Sequence, residues 1–260
     1  MFALFDFKNG VTYRKKVPLK ASKTFEVVSS PIQKTDTQKR KLLDGVSSEQ
    51  EVDKWLDEEI YYYFDFETFQ QAFPEFIGVK PFQQIPFQYS LHIKHHPSSK
   101  PFHEKFLADS GSDPRESLVR KLISDIPPDV TVIAFNSSFE KSILKELARQ
   151  FPKYKEHLEN IINNMIDLAE PFRNKYYYHP KMKGKHSIKI LLPLVVPEMP
   201  KEYEKLNIKN GADAMQAFSD LATIRDIKKI NKIRKDLEEY CALDTLAMVK
   251  IHDKLLKFCE

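Results

Sequence analysis

Hydrophobic and polar positions along the chain change period twice, from strand-like alternation to helical spacing. Residues 2–18 read as a hairpin, because Phe2-Ala3-Leu4-Phe5 and Val11-Thr12-Tyr13 flank the turn pair Asn9-Gly10. Residues 19–50 lack bulky apolar side chains and are rich in Lys, Ser, Thr and Gln, as a linker or loosely attached extension would be. A short helix is predicted over 49–59. Ile60 then opens a buried strand over 60–66, and 86–94 alternates like a second strand with one solvated face. A third strand is expected at Phe102–Leu107.

Asp113 and Pro114 start a helix predicted to reach Asp125, with a side-chain cap and a proline in its first turn. The apolar run 130–135 is a compact strand that ends at Asn136-Ser137-Ser138, a helix cap, and a helix follows to Gln150. Further helices are predicted over 154–164, 187–194, 211–223 and 225–258. In the last of these, Ile227, Ile230, Ile233, Leu237, Tyr240, Cys241 and Leu243 recur at helical spacing. Early strands, one strand–helix crossover and late helices together predict an α/β fold, a mixed β-sheet flanked by helices. The division follows: residues 1–55 as an N-terminal hairpin and extension, residues 56–260 as the main domain.

Composition narrows this only a little. Apolar residues make up 42% and charged residues 30%, which suits a packed core beneath a solvated surface. A net charge of +4 is compatible with a polyanionic partner but far from that of a dedicated nucleic-acid-binding module. Cys241 and Cys259 lie on one predicted helix about 27 Å apart, beyond disulfide reach. With no zinc spacing either, a reducing compartment, the cytoplasm, is expected. No signal peptide or membrane-length apolar run is recognised. Six glycines and no Gly-rich phosphate loop argue against a nucleotide-driven motor. His92, His95, His96 and His103 fall on a polar stretch without helical metal spacing and are expected at the surface.

The candidate chemistry lies in three short signatures. Tyr61-Tyr62-Tyr63-Phe64 delivers Asp65-Phe66-Glu67-Thr68, which puts two carboxylates on one strand face. Acids are costly to bury unpaired, so this pair suggests a shared divalent ion, although a strand end with solvated acids reads the same way. Asn136-Ser137-Ser138-Phe139-Glu140 puts an acid in a first helical turn, where the macrodipole stabilises it regardless of function. Tyr240-Cys241-Ala242-Leu243-Asp244 stacks a phenol and a carboxylate four residues apart on a helix. Each signature alone is as easily structural as functional; their order along the chain is what connects them.

On these residues, residues 60–258 resemble the DnaQ-like 3′–5′ exonuclease superfamily, in its branch with a tyrosine in the third motif. Within it the chain looks most like an uncharacterised family with segments similar to Asp65-Phe66-Glu67-Thr68, Ile85-Pro86-Phe87-Gln88-Tyr89-Ser90, Ser187-Ile188-Lys189 and Asp244-Thr245-Leu246-Ala247-Met248. The resemblance implies a ribonuclease-H-like fold and hydrolysis of phosphodiester bonds at single-stranded DNA or RNA ends. It implies two divalent cations, Mg2+ or Mn2+, held by Asp65, Glu67, Glu140 and Asp244, with Tyr240 orienting the attacking water. Glu140 stands where the superfamily usually has Asp, so Asp167 is held in reserve as the fourth carboxylate. Phe66, Thr68, Asn136, Lys185, His186 and Lys189 are the candidate substrate contacts, and Phe66 and Phe69 the candidate rings for base stacking. The alternatives are a catalytically silent nucleic-acid-binding or scaffold domain, or an accessory module of a larger nucleic-acid-processing protein.

Overall fold

The computed structural model describes residues 5–8, 11–14, 60–95 and 99–259. The helix expected over 49–59, the linker over 19–50, the turn pair Asn9-Gly10 and His96 lie outside the described residues.

Strands β1 (Phe5–Lys8) and β2 (Val11–Arg14) pair antiparallel with Lys8 opposite Val11, the register the hairpin predicts. β2 continues onto the two-residue strand β8 (Tyr177–Tyr178), so the hairpin extends into a small second sheet. The main sheet contains β3 (Tyr61–Phe69), β4 (Ile85–Lys94), β5 (Phe102–Leu107), β6 (Thr131–Ala134) and β7 (Met165–Asp167). Their order is β5-β4-β3-β6-β7. β3 is central, antiparallel to β4 and parallel to β6, and β7 adds on parallel to β6. The expected mixed sheet flanked by helices is therefore present. β7 is a strand that the sequence pattern does not announce: its three residues are too few to show a period.

The period of two along β3 sorts its side chains. Tyr62, Phe64 and Phe66 enter one core with Leu118, Val119 and Leu122 of α1 (Arg115–Asp125), with Ile143, Leu144 and Leu147 of α2 (Ser138–Gln150), and with α3 (Lys155–Asn163). Tyr63 and Ile133 enter the opposite core, built from α5 (Ile188–Val195) and α8 (Ile227–Cys259). Asp65 and Glu67 share the parity of Tyr63, so they too are directed at α8. Between α3 and α8 also run the short α4 (Glu170–Arg173) before β8, α6 (Pro200–Lys205) and α7 (Gly211–Asp220).

β3 and β4 slip register between Glu67 and Thr68, with Phe87 the unmatched residue. Such a bulge reverses which face following residues occupy. Tyr89 and Leu91 join the first core, whereas Phe87 and Ile85 join a third with Phe69, Phe218 and Tyr240. Phe87 stacks on Phe218 at 4.0 Å.

β4 does not keep the solvated face its alternation predicts, because α8 covers it. Every residue of β4 except Ile93 is buried, and each polar side chain has at least one partner, while Gln88 Oε1 is left unmatched. Gln88 Nε2 donates to the Leu237 carbonyl at 2.9 Å, and Lys94 Nζ meets Asp253 at 2.5 Å. Ser90 and His92 both bond the Thr245 hydroxyl, at 2.6 and 2.7 Å, and Ser90 also bonds His103. The histidines therefore depart from a surface placement: His92 is buried and stacks on His103 at 4.4 Å. Burial, then the neighbouring His103, pushes His92 down to about 3, so it packs as a neutral ring.

Two helix starts also differ from expectation. Asp113 accepts the Arg115 backbone N–H at 3.1 Å but α1 begins from Pro114, and α2 has no side-chain cap. Instead, Asn136 turns the chain out of β6 with φ of 64°, a conformation Asn tolerates better than most residues.

Candidate functional site

Three elements bring the acidic signatures together: the middle of β3, the first turn of α2 and the middle of α8. Asp65 is half-buried and Glu67 buried. One ligand atom each from Asp65, Glu67 and Cys241 lie within 4.8 Å of one another. The Cys241 thiol is directed at Asp65 Oδ2, 4.0 Å away. Asp244 lies one helical turn beyond Tyr240, buried, and accepts hydrogen bonds from Tyr240 and from Tyr203, whose hydroxyl is 2.7 Å from Oδ1. Glu140 is only 3% exposed, and its Oε2 has no hydrogen-bond partner. A buried carboxylate oxygen left unmatched is expensive unless a cation or water meets it.

Proton affinities express the crowding. Asp65 is raised well above the ordinary carboxylate range, by burial first and then by Asp244, Glu67 and Glu140. Burial and the Asp244 charge lift Glu67 to about 8, against the pull of Lys189. Burial lifts Glu140 to about 7, opposed by a backbone hydrogen bond and assisted by Asp167. Asp244 is raised by burial, while Tyr203, Tyr240 and Lys189 hold it back. Tyr240 is raised by burial and by Asp244, Glu67 and Asp65, so its hydroxyl stays protonated and able to donate.

The donor set fits hard divalent cations. It consists of carboxylate oxygens that repel one another, one of them orphaned, and positive charge is what such a set lacks. Asp65, Glu67, Glu140 and Asp244 are the residues that would hold the ions.

The other sequence candidates separate. Asp167 ends β7, accepts the backbone N–H groups of Asn136 at 2.8 Å and Ala169 at 2.9 Å, and pairs with Arg173 at 2.9 Å. Its oxygens are engaged in holding the β6–α2 turn against β7. Asn136 is exposed and takes part in that turn through its backbone. Phe66 and Phe69 are buried core rings, packed on Phe64 and on Phe87 and Phe218, and are closed to a base. Thr68 donates to Gln84 at 2.5 Å and so closes the base of the β3–β4 loop. Lys189 is tied to the cluster: its charge acts on Glu67 and Asp244, its Nζ lies 6.0 Å from the Tyr240 ring, and it donates to the Lys209 carbonyl. Lys185 is exposed and His186 half-buried on the segment before α5.

Three contributors are not among the sequence candidates. Cys241 is legible in principle, since it follows Tyr240 and stands three residues before Asp244, on an adjacent helical face. Tyr203 carries no such signal. Gly211 opens α7 against the site, where a Cβ would lie 3.4 Å from Glu67 Oε2. Among the described residues the two most open phenylalanine rings, Phe73 at 89% and Phe82 at 66%, lie in the β3–β4 loop instead of on β3.

A family model described as "Domain of unknown function (DUF2779)" matches residues 62–187. The chain is similar to "Uncharacterized protein MG366" of Mycoplasma genitalium, 28% identical over 205 residues. It is also similar to "Uncharacterized protein UU173" of Ureaplasma parvum, 28% identical over 220 residues. These alignments cover 73% and 76% of the chain but 31% of each relative, so the chain spans under a third of their length. No solved structure matches it. Among the described residues, no helix is long and apolar enough to cross a membrane.

Proposed function

We propose that the protein is a metal-dependent 3′–5′ exonuclease of ribonuclease-H-like fold, hydrolysing phosphodiester bonds at single-stranded DNA or RNA ends. The observation that carries this reading is the clustering of Asp65, Glu67, Glu140 and Asp244, whose charges act on one another, with an unmatched oxygen on Glu140 and with Tyr240 beside them. Two divalent ions, Mg2+ or Mn2+, would supply a water ionised near neutral pH and charge stabilisation of the phosphoryl transition state. The carboxylates would fix the ions' positions. Tyr240, protonated, would orient the attacking water by hydrogen bonding. Tyr203 keeps Asp244 in its rotamer, and Lys189 offers positive charge to a substrate phosphate. A free buried thiol at Cys241 accords with a reducing, cytoplasmic compartment.

The test uses end-labelled single-stranded DNA and RNA with Mn2+ or Mg2+. Stepwise 3′ shortening is expected, lost in Asp244→Ala. Equal degradation by wild type and Asp244→Ala would overturn the assignment. No degradation by either would leave the silent binding domain as the better reading.

The fourth carboxylate is settled by a paired comparison. Glu140→Gln should lower turnover about a hundredfold or more, as loss of one positioned charge does, with the stability of the metal-free protein retained or raised. Asp167→Asn should instead weaken the strand-end clamp by about 1–3 kcal/mol, seen as a lower melting temperature, with turnover retained below it. If only Asp167→Asn abolishes hydrolysis, the ligand is Asp167.

A further inference from the structure

The donor set contains one atom that an oxygen-only cation site lacks. Cys241 Sγ shares the 4.8 Å group with Asp65 and Glu67, and it is fully buried on the α8 face that closes over β3. Ligands around one ion must lie within about twice a metal–ligand bond of each other, roughly 4–4.6 Å for bonds of 2.0–2.3 Å; the Sγ to Oδ2 separation of 4.0 Å meets that condition. Independently, Glu140 is buried with an unpartnered Oε2, and its charge acts on both Asp65 and Glu67. Its carboxylate is thus part of the same field of negative charge, though outside the group of three close donors.

We infer that Cys241 is a metal ligand of this cluster and that its sulfur gives the site a preference for borderline-soft divalent ions of the Zn2+ type over Mg2+. The inference rests on the reading of the acidic cluster as a cation site. Thiolate ligands favour softer ions, and carboxylate and water favour Mg2+ and Mn2+. One sulfur with Asp65 and Glu67 makes a three-donor set that leaves the fourth position of a tetrahedral Zn2+ to water or substrate. On binding, the thiol proton passes to solvent, a metal–sulfur bond forms, and an aquo ligand leaves the ion; nothing is oxidised or reduced. Mg2+ gains nothing from the sulfur and would be held by the carboxylates alone. The site would therefore sense which ion is available, with the soft ion displacing Mg2+.

The experiment titrates the full chain, reduced and metal-free, with Cd2+ and separately with Mn2+. Near-ultraviolet absorbance reads thiolate-to-metal charge transfer, and calorimetry reads affinity. Cd2+ should produce a charge-transfer band in wild type and in Cys259→Ser, and none in Cys241→Ser. Loss of even an outer-shell partner costs about 10–100-fold in metal affinity, so loss of a direct sulfur ligand in Cys241→Ser should weaken Cd2+ by at least about tenfold while Mn2+ changes far less. Asp65→Asn should weaken both ions. A Cd2+-loaded wild type without the band, or a band that disappears only in Cys259→Ser, overturns the inference without any variant of Cys241 having to fold. If Mn2+ binds and the band is absent, the carboxylate site stands and the sulfur ligand falls. If neither ion binds, both fall.

Discussion

Asp65→Asn is expected to abolish hydrolysis, by about a thousandfold or more, and at the same time to raise the melting temperature of the metal-free protein. The two effects have one cause. Asp65 is on the central strand beneath α8, raised in proton affinity by burial and by Asp244, Glu67 and Glu140. Asparagine keeps the shape and can still accept from Cys241, but it removes one of the mutually repelling charges. Relief of like-charge repulsion equivalent to roughly one pKa unit is worth about 1.4 kcal/mol. For a domain of this size that corresponds to a gain of about 2–8 °C. With Mn2+ present the order should invert, because bound ligand stabilises only the protein that can hold it. Scanning calorimetry of wild type and Asp65→Asn, in chelator and in Mn2+, gives the comparison. A lower melting temperature for Asp65→Asn in chelator would mean that Asp65 is a paired structural acid, and the site assignment would fail on stability alone.

A stability gain from losing this acid would also explain why the first signature stands out in the bare sequence. Asp65 and Glu67 break the apolar run that begins at Ile60, and a core strand tolerates such a break only where something compensates it. The strands at 60–66 and Phe102–Leu107 and the helix ending at Gln150 are legible for a simpler reason, strong periodicity bounded by Pro, Asn or Ser. What cannot be read is tertiary. The face of β4 bearing Gln88, Ser90, His92 and Lys94 is polar in sequence but covered by α8, and each of these residues has its partner 149–159 positions away. Local pattern carries no information about partners so distant. Phe66 falls on the core face by strict alternation, so its placement is available from the period that makes Asp65 and Glu67 a pair. Phe69 shares the parity of Tyr63, Asp65 and Glu67 and packs with Leu237 and Tyr240 of α8, as the same period requires; the slip after Glu67 adds its extra residue on β4, at Phe87. Glu140 is ambiguous because a first-turn acid has a sufficient local reason to exist; only its burial and its unmatched oxygen separate it from an ordinary helix-start acid.

The metal-free protein should lose stability as pH rises from about 6.5 to 8, opposite to the usual behaviour of carboxylates. Ordinary acids are more acidic folded than unfolded, so folding favours their ionised form. Here the folded state raises Glu140 to about 7 and Glu67 to about 8, with Asp65 also displaced upward. Between the unfolded value of about 4.3 and these folded values, the native state holds more protons than the unfolded one. Stability then falls with pH at about 1.4 kcal/mol per excess proton for each pH unit. Below pH 6.5 the trend is opposed. His92 is depressed to about 3 and His252 to about 4, both chiefly by burial, so acidification favours the unfolded state, where they can protonate. At pH 6.5 these histidines are still about half protonated in the unfolded state, so together they offset roughly 0.8 kcal/mol of the loss, and above about pH 7.5 the carboxylates act alone. With one to two excess protons, roughly 2–4 kcal/mol should be lost across the window, a drop of about 4–16 °C in melting temperature. Glu67→Gln should flatten the decline, and saturating Mn2+ should reverse it, since the bound ion requires the ionised carboxylates that high pH supplies. A melting temperature in chelator that stays level or rises from pH 6.5 to 8 would show that these acids are not crowded in solution. Growth of the Mn2+-induced stabilisation with pH, lost in Glu67→Gln, would tie the same carboxylates to the ion without any measurement of hydrolysis.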